Sequence, residues 1–531
     1  MHDVETLLLL LMAVVALVAS ANRLNIPYPI LLVTGGLVLS FVPHLPVLKF
    51  TPDLIFLLFL PPLLHSEAWF TSWRDFQRNR KPIGLLAIGL VLVTTVSIAL
   101  VVHWLIPDFP LAAAFALGAI AAPTDAVAVS AVADRLCLPR RILVVLSGES
   151  LLNDATALVI YRAAVLAVVS GTFSFKAALG SFVLMSLGGI VIGLILGYAL
   201  AFVLQRTKDT TLASTISLLC PYVAYLTAER LHVSGVLATV AVGLYLGRQA
   251  NRIFSPQQRM QSLGFWQVLV FLLNGLLFIL VGLQLHDILA NLSVRHWPTL
   301  LGYATLVSLT VILTRIVWVT ATTYGPPLFS PCRPIRDHSP PWQNIAVVAW
   351  SGARGGVSLA SALAIPLALE NGAPFPQRDM ILFLTFSIIV ATLVLQGLTL
   401  PPLIRRLRLT DDGKTEKEER HARLSATQGA IRHLETVMAD SGVPSEAIED
   451  IRGHYQERLK YLNTQSDQEE RDRLAEQKRN YRQLKHALLA SERDVVVRLR
   501  DEGTISDDAL HRVQRDLDLE EIRLEPPGSD G

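Results

Sequence analysis

The chain has 531 residues, 52% of them hydrophobic and only 17% charged, with 46 Lys and Arg against 44 Asp and Glu. Soluble proteins carry roughly 25% charged residues, so most of this chain is built for a solvent other than water. A net charge of +2 gives no case for nucleic acid, and Cys137, Cys220 and Cys332, without paired spacing, argue against a disulfide framework or a zinc site.

The first apolar run, Leu7 to Val18, is followed by Ala19-Ser20-Ala21, which has the look of a cleavage site. The residues before it, including Asp3 and Glu5, are acidic where a secretory signal is basic. The run therefore reads as a first membrane span. A span needs about 20 mostly apolar residues. Thirteen stretches qualify, at about 4–22, 27–43, 53–71, 82–106, 111–133, 141–170, 176–204, 210–230, 233–250, 262–286, 298–322, 343–369 and 380–404. The fold class expected is an all-α polytopic membrane protein.

Lys and Arg sort by loop. Alternate loops hold 18 of them, among them Arg74, Arg78, Arg80, Lys81, Arg140 and Arg141, whereas the other loops hold five: Lys49, Lys176, Arg230, Arg295 and Arg378. The basic loops mark the cytoplasmic side. This puts the N-terminus outside and the C-terminus in the cytoplasm, and requires an odd number of spans. The membrane domain ends near residue 410. From 411 to 531 the chain is densely charged, with apolar residues at helical spacing (Leu424, Ile431, Leu434 and Val437 on one face) and an N-cap region at Thr504 to Asp508. That stretch reads as a helical cytoplasmic tail for regulation or dimerisation.

An ionisable side chain near the bilayer centre is costly, so it is a functional candidate by default. Asp125 falls mid-span in Ala122-Pro123-Thr124-Asp125, Glu149 and Asp154 in Glu149-Ser150-Leu151-Leu152-Asn153-Asp154, and Arg354 in Gly352-Ala353-Arg354-Gly355-Gly356. Glu67 follows Pro61-Pro62 in the cytoplasmic half of the third span. Ser150, Asn153 and Asp154 share one helix face at i, i+3 and i+4. They present a hydroxyl, an amide and a carboxylate, hard oxygen donors that suit a small cation and not a thiolate-bound metal. Pro123 and the glycines around Arg354 predict spans that unwind at mid-membrane, the usual construction of a secondary-transport site. Asp125 and Arg354 would then each neutralise a half-helix end. Arg315 reads as snorkelling to the cytoplasmic surface, Arg162 as a second intramembrane partner, Asn274 as an interhelical hydrogen bond, and His65 as packed or hydrogen-bonded.

These motifs resemble the sodium/proton antiporter family, in its bacterial NhaP-like branch related to the eukaryotic exchangers, over about residues 1–410. The Asn153-Asp154 pair is the most specific mark. The matched disruptions point to inverted repeats with two broken crossing helices, and the resemblance implies a thirteen-span homodimer with a dimerisation half and a moving six-helix core. It implies that Asp154 and Asp125 face the ion with help from Ser150 and Thr124, and that Asn153 joins its span to Thr124. It also implies that Glu149 and Arg354 form a structural salt bridge. Glu67 stands one place later than in many relatives, which leaves its contact with the ion open.

Desolvation disfavours an ionised carboxyl group, and a bound cation favours it, so proton and sodium would compete for one site. With one Asn and one Asp in the pair, the resemblance implies electroneutral exchange in a bacterial cytoplasmic membrane, serving pH and sodium homeostasis. No cofactor is expected beyond the transported Na+ and H+, and membrane lipid is an expected partner. Potassium or lithium in the same fold, and a channel, are the rival readings. There is no HExxH motif, no nucleophile elbow and no phosphate-binding loop, so an enzyme or an ATP-driven pump is not supported.

Overall fold

Lipid offers the backbone no hydrogen-bond partner, so apolar chain in a membrane closes its bonds within helices. A computed structural model describes residues 2–24, 26–42, 52–126, 138–170, 175–291, 297–329, 341–369, 372–409, 414–437, 445–464, 468–502, 504 and 506–524. Among these the only β-pairing is an isolated bridge between Ala368 and Pro374. Cys137 and Cys332 lie outside the described residues, and Cys220 is a buried free thiol.

The helices run α1 His2–Leu24, α2 Tyr28–Ser40, α3 Pro52–Phe70, α4 Trp73–Arg78 and α5 Arg80–Gly84. A π-helical segment, Leu85–Leu90, leads into α6 Val91–Leu105. Then follow α7 Leu111–Ala121, α8 Arg140–Ser170, α9 Phe175–Arg206, α10 Thr210–Arg230, α11 Gly235–Ile253, α12 Pro256–Asn291, α13 Trp297–Phe329, α14 Trp342–Trp350, α15 Gly356–Leu363 and α16 Arg378–Leu407. Polar caps set several starts. The Asp209 carboxylate accepts from the Leu212 N–H at 2.7 Å, and the Ser234 hydroxyl from that of Leu237 at 3.2 Å.

Eight helices among the described residues are long and apolar enough to cross a bilayer on length and composition alone. Five of the thirteen expected stretches lie outside these eight: the short apolar helices Tyr28–Ser40 and Leu111–Ala121, the interrupted α14–α15, and α3 and α11. On α9, Leu184, Leu187, Ile195 and Tyr198 are all exposed. A face so apolar is unsuited to water and suits lipid tails.

α12 packs on α2, and α11 on α3 and α9; α7 packs on α6 and α8, and α13 on α6 and α16. The α2–α12 contact depends on small residues. A Cβ at Gly36 would stand 2.3 Å from the Ile279 carbonyl oxygen, and one at Gly282 2.2 Å from that of Val33. Backbones approach this closely in membranes only where side chains are missing.

The chain divides into two compact units, 1–411 and 412–531. The second is helical: α17 Lys414–Val437, α18 Ser445–Thr464, α19 Gln468–Asp501 and α20 Asp507–Leu524. Leu424, Ile431 and Leu434 are half-buried, while the Val437 side chain lies outside the described residues. Lys485 and Arg493 on α19 pair with Glu520, Asp518 and Glu521 on α20.

Candidate ion site

The helix of α7 ends at Ala121, and residues 122–126 run on without helical hydrogen bonding. α14 ends at Trp350, residues 351–355 are likewise irregular, and α15 begins at Gly356. The two interruptions meet, because the Asp125 N–H donates to the Ala353 carbonyl at 2.8 Å. Pro123 and the glycines flanking Arg354 are the local cause.

Interrupted helices expose carbonyls at one end and N–H groups at the other. The Arg354 guanidinium serves the first kind. Its Nε donates to the Ala121 carbonyl at 2.8 Å, and a terminal nitrogen donates to that of Gly352 at 2.6 Å. Its own N–H donates to the Thr392 hydroxyl of α16 at 3.1 Å. Asp125 stands against the second kind. A Cβ on Gly355 would lie 1.8 Å from its Oδ2, so the carboxylate abuts the N-terminal end of α15.

Glu149 does not pair with Arg354. Its carboxylate is held in a fork by Arg315 of α13, at 2.5 and 2.9 Å, with both side chains 1% exposed. Arg315 also donates from Nε to the Val348 carbonyl at 3.1 Å, near the end of α14. The expectation that Arg315 snorkels to the surface is thereby corrected. A buried guanidinium with three acceptors within reach is better satisfied there than half-solvated. Arg354 donates to carbonyls from Nε and one terminal nitrogen, while its other terminal nitrogen is buried without a hydrogen-bond partner, and it has no carboxylate within ion-pair distance among the described residues.

A relay of hydrogen bonds ties α8 to the break after α7. Asn153 Nδ2 donates to the Thr124 carbonyl at 3.2 Å and to its hydroxyl at 2.9 Å. The Thr124 hydroxyl donates in turn to Glu149 Oε1 at 2.8 Å.

Beside this relay lies a cavity of about 30 Å³, lined by Glu67, Thr124, Asp125, Ser150 and Asp154, and by Asn274, Ser358 and the Gly355-Gly356 backbone. That is room for one or two waters, and so for a small ion and not an organic solute. Asp154 and Ser150 are 6% and 4% exposed. Three carboxyl groups facing so small a space repel one another unless protons or a cation neutralise them. Among the described residues no three His, Cys, Asp or Glu are grouped tightly enough to hold a metal ion.

Glu67, whose role the sequence leaves open, faces the same space as Asp125 and Asp154. Two lining residues escape the sequence reading. Asn274 of α12 is 7% exposed, makes no hydrogen bond among the described residues and faces the cavity, instead of bridging helices as expected. Ser358 follows the Gly-Gly break by two residues and is 1% exposed. A lone polar residue in an apolar run was the available signal for Asn274, whereas Ser358 shares its stretch with Ser361 and carries no such mark. Arg162 lies apart from the cavity and pairs with Glu229 of α10 at 2.8 Å. His65 is packed between the rings of Trp69 and Trp266, at centroid distances of 5.6 and 5.3 Å.

Two broken helices crossing beside acid groups and an enclosed, ion-sized space define the architecture of a secondary ion transporter. The chain belongs to the sodium/hydrogen exchanger family, whose transmembrane-domain model matches residues 9–406. It is 35% identical to an uncharacterized Na(+)/H(+) exchanger of Mycobacterium tuberculosis, over 97% of this chain and 96% of that protein. It is 36% identical to the sodium, potassium, lithium and rubidium/H(+) antiporter of Bacillus subtilis, over 76% of this chain and 61% of that one. The Na(+)/H(+) antiporter ApNhaP of Aphanothece halophytica is 32% identical over 80% of this chain and 78% of its own length. The sodium proton antiporter MjNhaP1 of Methanocaldococcus jannaschii shares the fold, with a TM-score of 0.58 at 22% identity over 74% of this chain and 98% of that one.

Proposed function

We propose that the chain is a secondary antiporter that exchanges sodium for protons across a bacterial cytoplasmic membrane by alternating access. The observation that carries this reading is the small cavity where Asp154, Asp125 and Glu67 converge at the crossing of two interrupted spans. In that cavity a cation and protons are alternatives. With the cation bound, the carboxylates keep their charge and the Ser150 hydroxyl, the Thr124 backbone and hydroxyl and the Asn274 amide add neutral oxygens. With the cation gone, Asp154 takes a proton. Either way the core moves with the Asp154 charge compensated, and with that charge bare it crosses poorly. Exchange follows from that competition, and one exchangeable carboxylate beside Asn153 supports one-for-one stoichiometry.

Asn153, Thr124, Glu149, Arg315 and Arg354 hold this geometry by fixing α8 and the two breaks to one another. Counting α2, α3, α11 and the two interrupted spans beside the eight long apolar helices gives thirteen spans, with the N-terminus outside and the helical tail in the cytoplasm, in keeping with the arginine-rich loops. Homodimerisation and a regulatory role for the tail belong to the same reading. Potassium and lithium are alternative cations, favoured by the four ions in the name of the Bacillus relative. In proteoliposomes Asp154→Asn should abolish sodium-driven proton movement while the protein still inserts. Unimpaired exchange by that variant would remove Asp154 from the mechanism.

A further inference from the structure

A second cavity, of about 260 Å³, opens at the arginine-rich end of the spans. Its walls come from the π-helical segment, α8, α13 and α14, and include the buried Val145 and Val319. Its mouth carries Lys81 and Arg141, both exposed. Neighbouring Arg140 is held by Asp75 at 2.7 Å. Lys81 and Arg141 have no carboxylate partner among the described residues. The space therefore has a mostly apolar interior between membrane-spanning helices, with Thr322, Thr323 and Asn344 as its polar wall residues, and two cations without a carboxylate at its rim.

From this pairing we infer that the cavity is a binding site for an anionic phospholipid, with part of an acyl chain inside and the phosphate at Lys81 and Arg141. A soluble anion would leave the apolar walls unfilled. A zwitterionic lipid would bring its own ammonium toward two cations, so the charge selects a net-negative headgroup. The guanidinium of Arg141 matches a phosphate in planar geometry, and Lys81 adds a point charge.

The site sits beneath the buried bridge of the transport core. Val145 is one turn before Glu149 on α8, and Val348, also in the wall, gives its carbonyl to Arg315. Filling the cavity packs the residues that hold that bridge, so occupancy should stabilise the folded protein by mass action. The inference does not depend on which ion is carried, and its test uses no transport.

The test is thermal unfolding of the full-length protein in mild detergent, with phosphatidylglycerol, phosphatidylcholine or glycerol 3-phosphate added. Phosphatidylglycerol should raise the midpoint more than phosphatidylcholine, and glycerol 3-phosphate should leave it unchanged. In the double variant Lys81→Gln/Arg141→Gln, which keeps Arg74, Arg78, Arg80 and Arg140 for topology, the difference between the two lipids should vanish. Thr323→Trp, which fills the cavity and keeps both cations, should also lose the protection. If the double variant unfolds on purification, Thr323→Trp with native mass spectrometry of retained phosphatidylglycerol decides the matter alone. Undiminished protection in either variant, or equal protection by glycerol 3-phosphate, would overturn the lipid site.

Discussion

The buried pair of Glu149 with Arg315, in place of Arg354, is open to a thermodynamic test. Glu149→Gln leaves the Arg315 guanidinium, 1% exposed, without a counter-charge. Breaking such a pair costs about 3–5 kcal/mol. Two charge-assisted bonds, at 2.5 and 2.9 Å, each contribute about 1.5–3 kcal/mol, which agrees with that range. Arg315→Met should cost a similar amount, because it strands the carboxylate. The double variant removes both charges and should be less destabilised than the sum, giving a coupling energy of about 3 kcal/mol or more. Arg354→Met loses bonds to the Ala121 and Gly352 carbonyls, and its coupling to Glu149→Gln should be well below that. Reversible unfolding in mixed micelles, followed by tryptophan fluorescence, would measure the cycle. Coupling of Glu149 to Arg354 as large as to Arg315 would refute the assignment.

Two further outcomes are expected. Asn274→Ala removes one neutral oxygen from the cavity. It should raise the apparent KM for sodium several-fold with little change in maximal exchange, as read by fluorescent-dye quenching in vesicles; an unchanged KM would remove Asn274 from the site. In the tail, Arg493 and then His486 hold the Glu521 carboxyl below its ordinary value of 4.5. A carboxyl group lowered on folding stabilises the fold above its unfolded value, and that stability is lost as pH falls through the folded value. Hydrogen exchange of α19 and α20 in the full-length protein should therefore be steady near neutrality and quicken modestly as pH drops below about 4.5. These are surface pairs, so the effect is small and fades with salt.

Much of this architecture was written in local chemistry. Apolar run length fixes the helices, and Pro123 and the glycines beside Arg354 fix where two of them break, because each acts on its own backbone. Ser150, Asn153 and Asp154 share a helix face, so their convergence follows from spacing alone. Partner choice across helices does not. Glu149 pairs with Arg315, which the sequence reads as snorkelling to the surface, because α13 packs against α6, α14 and α16 and so buries that guanidinium beside it. Likewise Asn274, seen as a lone amide in an apolar run, fits a helix contact and a cavity wall equally well. Its role is set by Leu277, one turn further on, which packs against Gly356 and brings α12 to the mouth of the α14–α15 break.

That break also explains a requirement for glycine at position 355. The residue has φ −120° and ψ −162°, an extended conformation open to any amino acid, so its backbone does not demand glycine. Space does. A Cβ there would lie 1.8 Å from Asp125 Oδ2, 2.5 Å from its Cγ and 2.6 Å from its Cβ, so rotating the carboxylate alone relieves nothing. The Asp125 main chain is itself fixed by its bond to Ala353, so the side chain must be displaced. Overpacking of this kind costs about 1–3 kcal/mol, which at 1.4 kcal/mol per tenfold amounts to roughly fivefold to a hundredfold in apparent sodium affinity. Gly355→Ala should thus weaken cation binding while leaving the helices intact, measured by exchange kinetics beside circular dichroism. An alanine variant with native affinity would show that Asp125 need not abut the N-terminal end of α15, and the arrangement of charges at the crossing would have to be drawn without it.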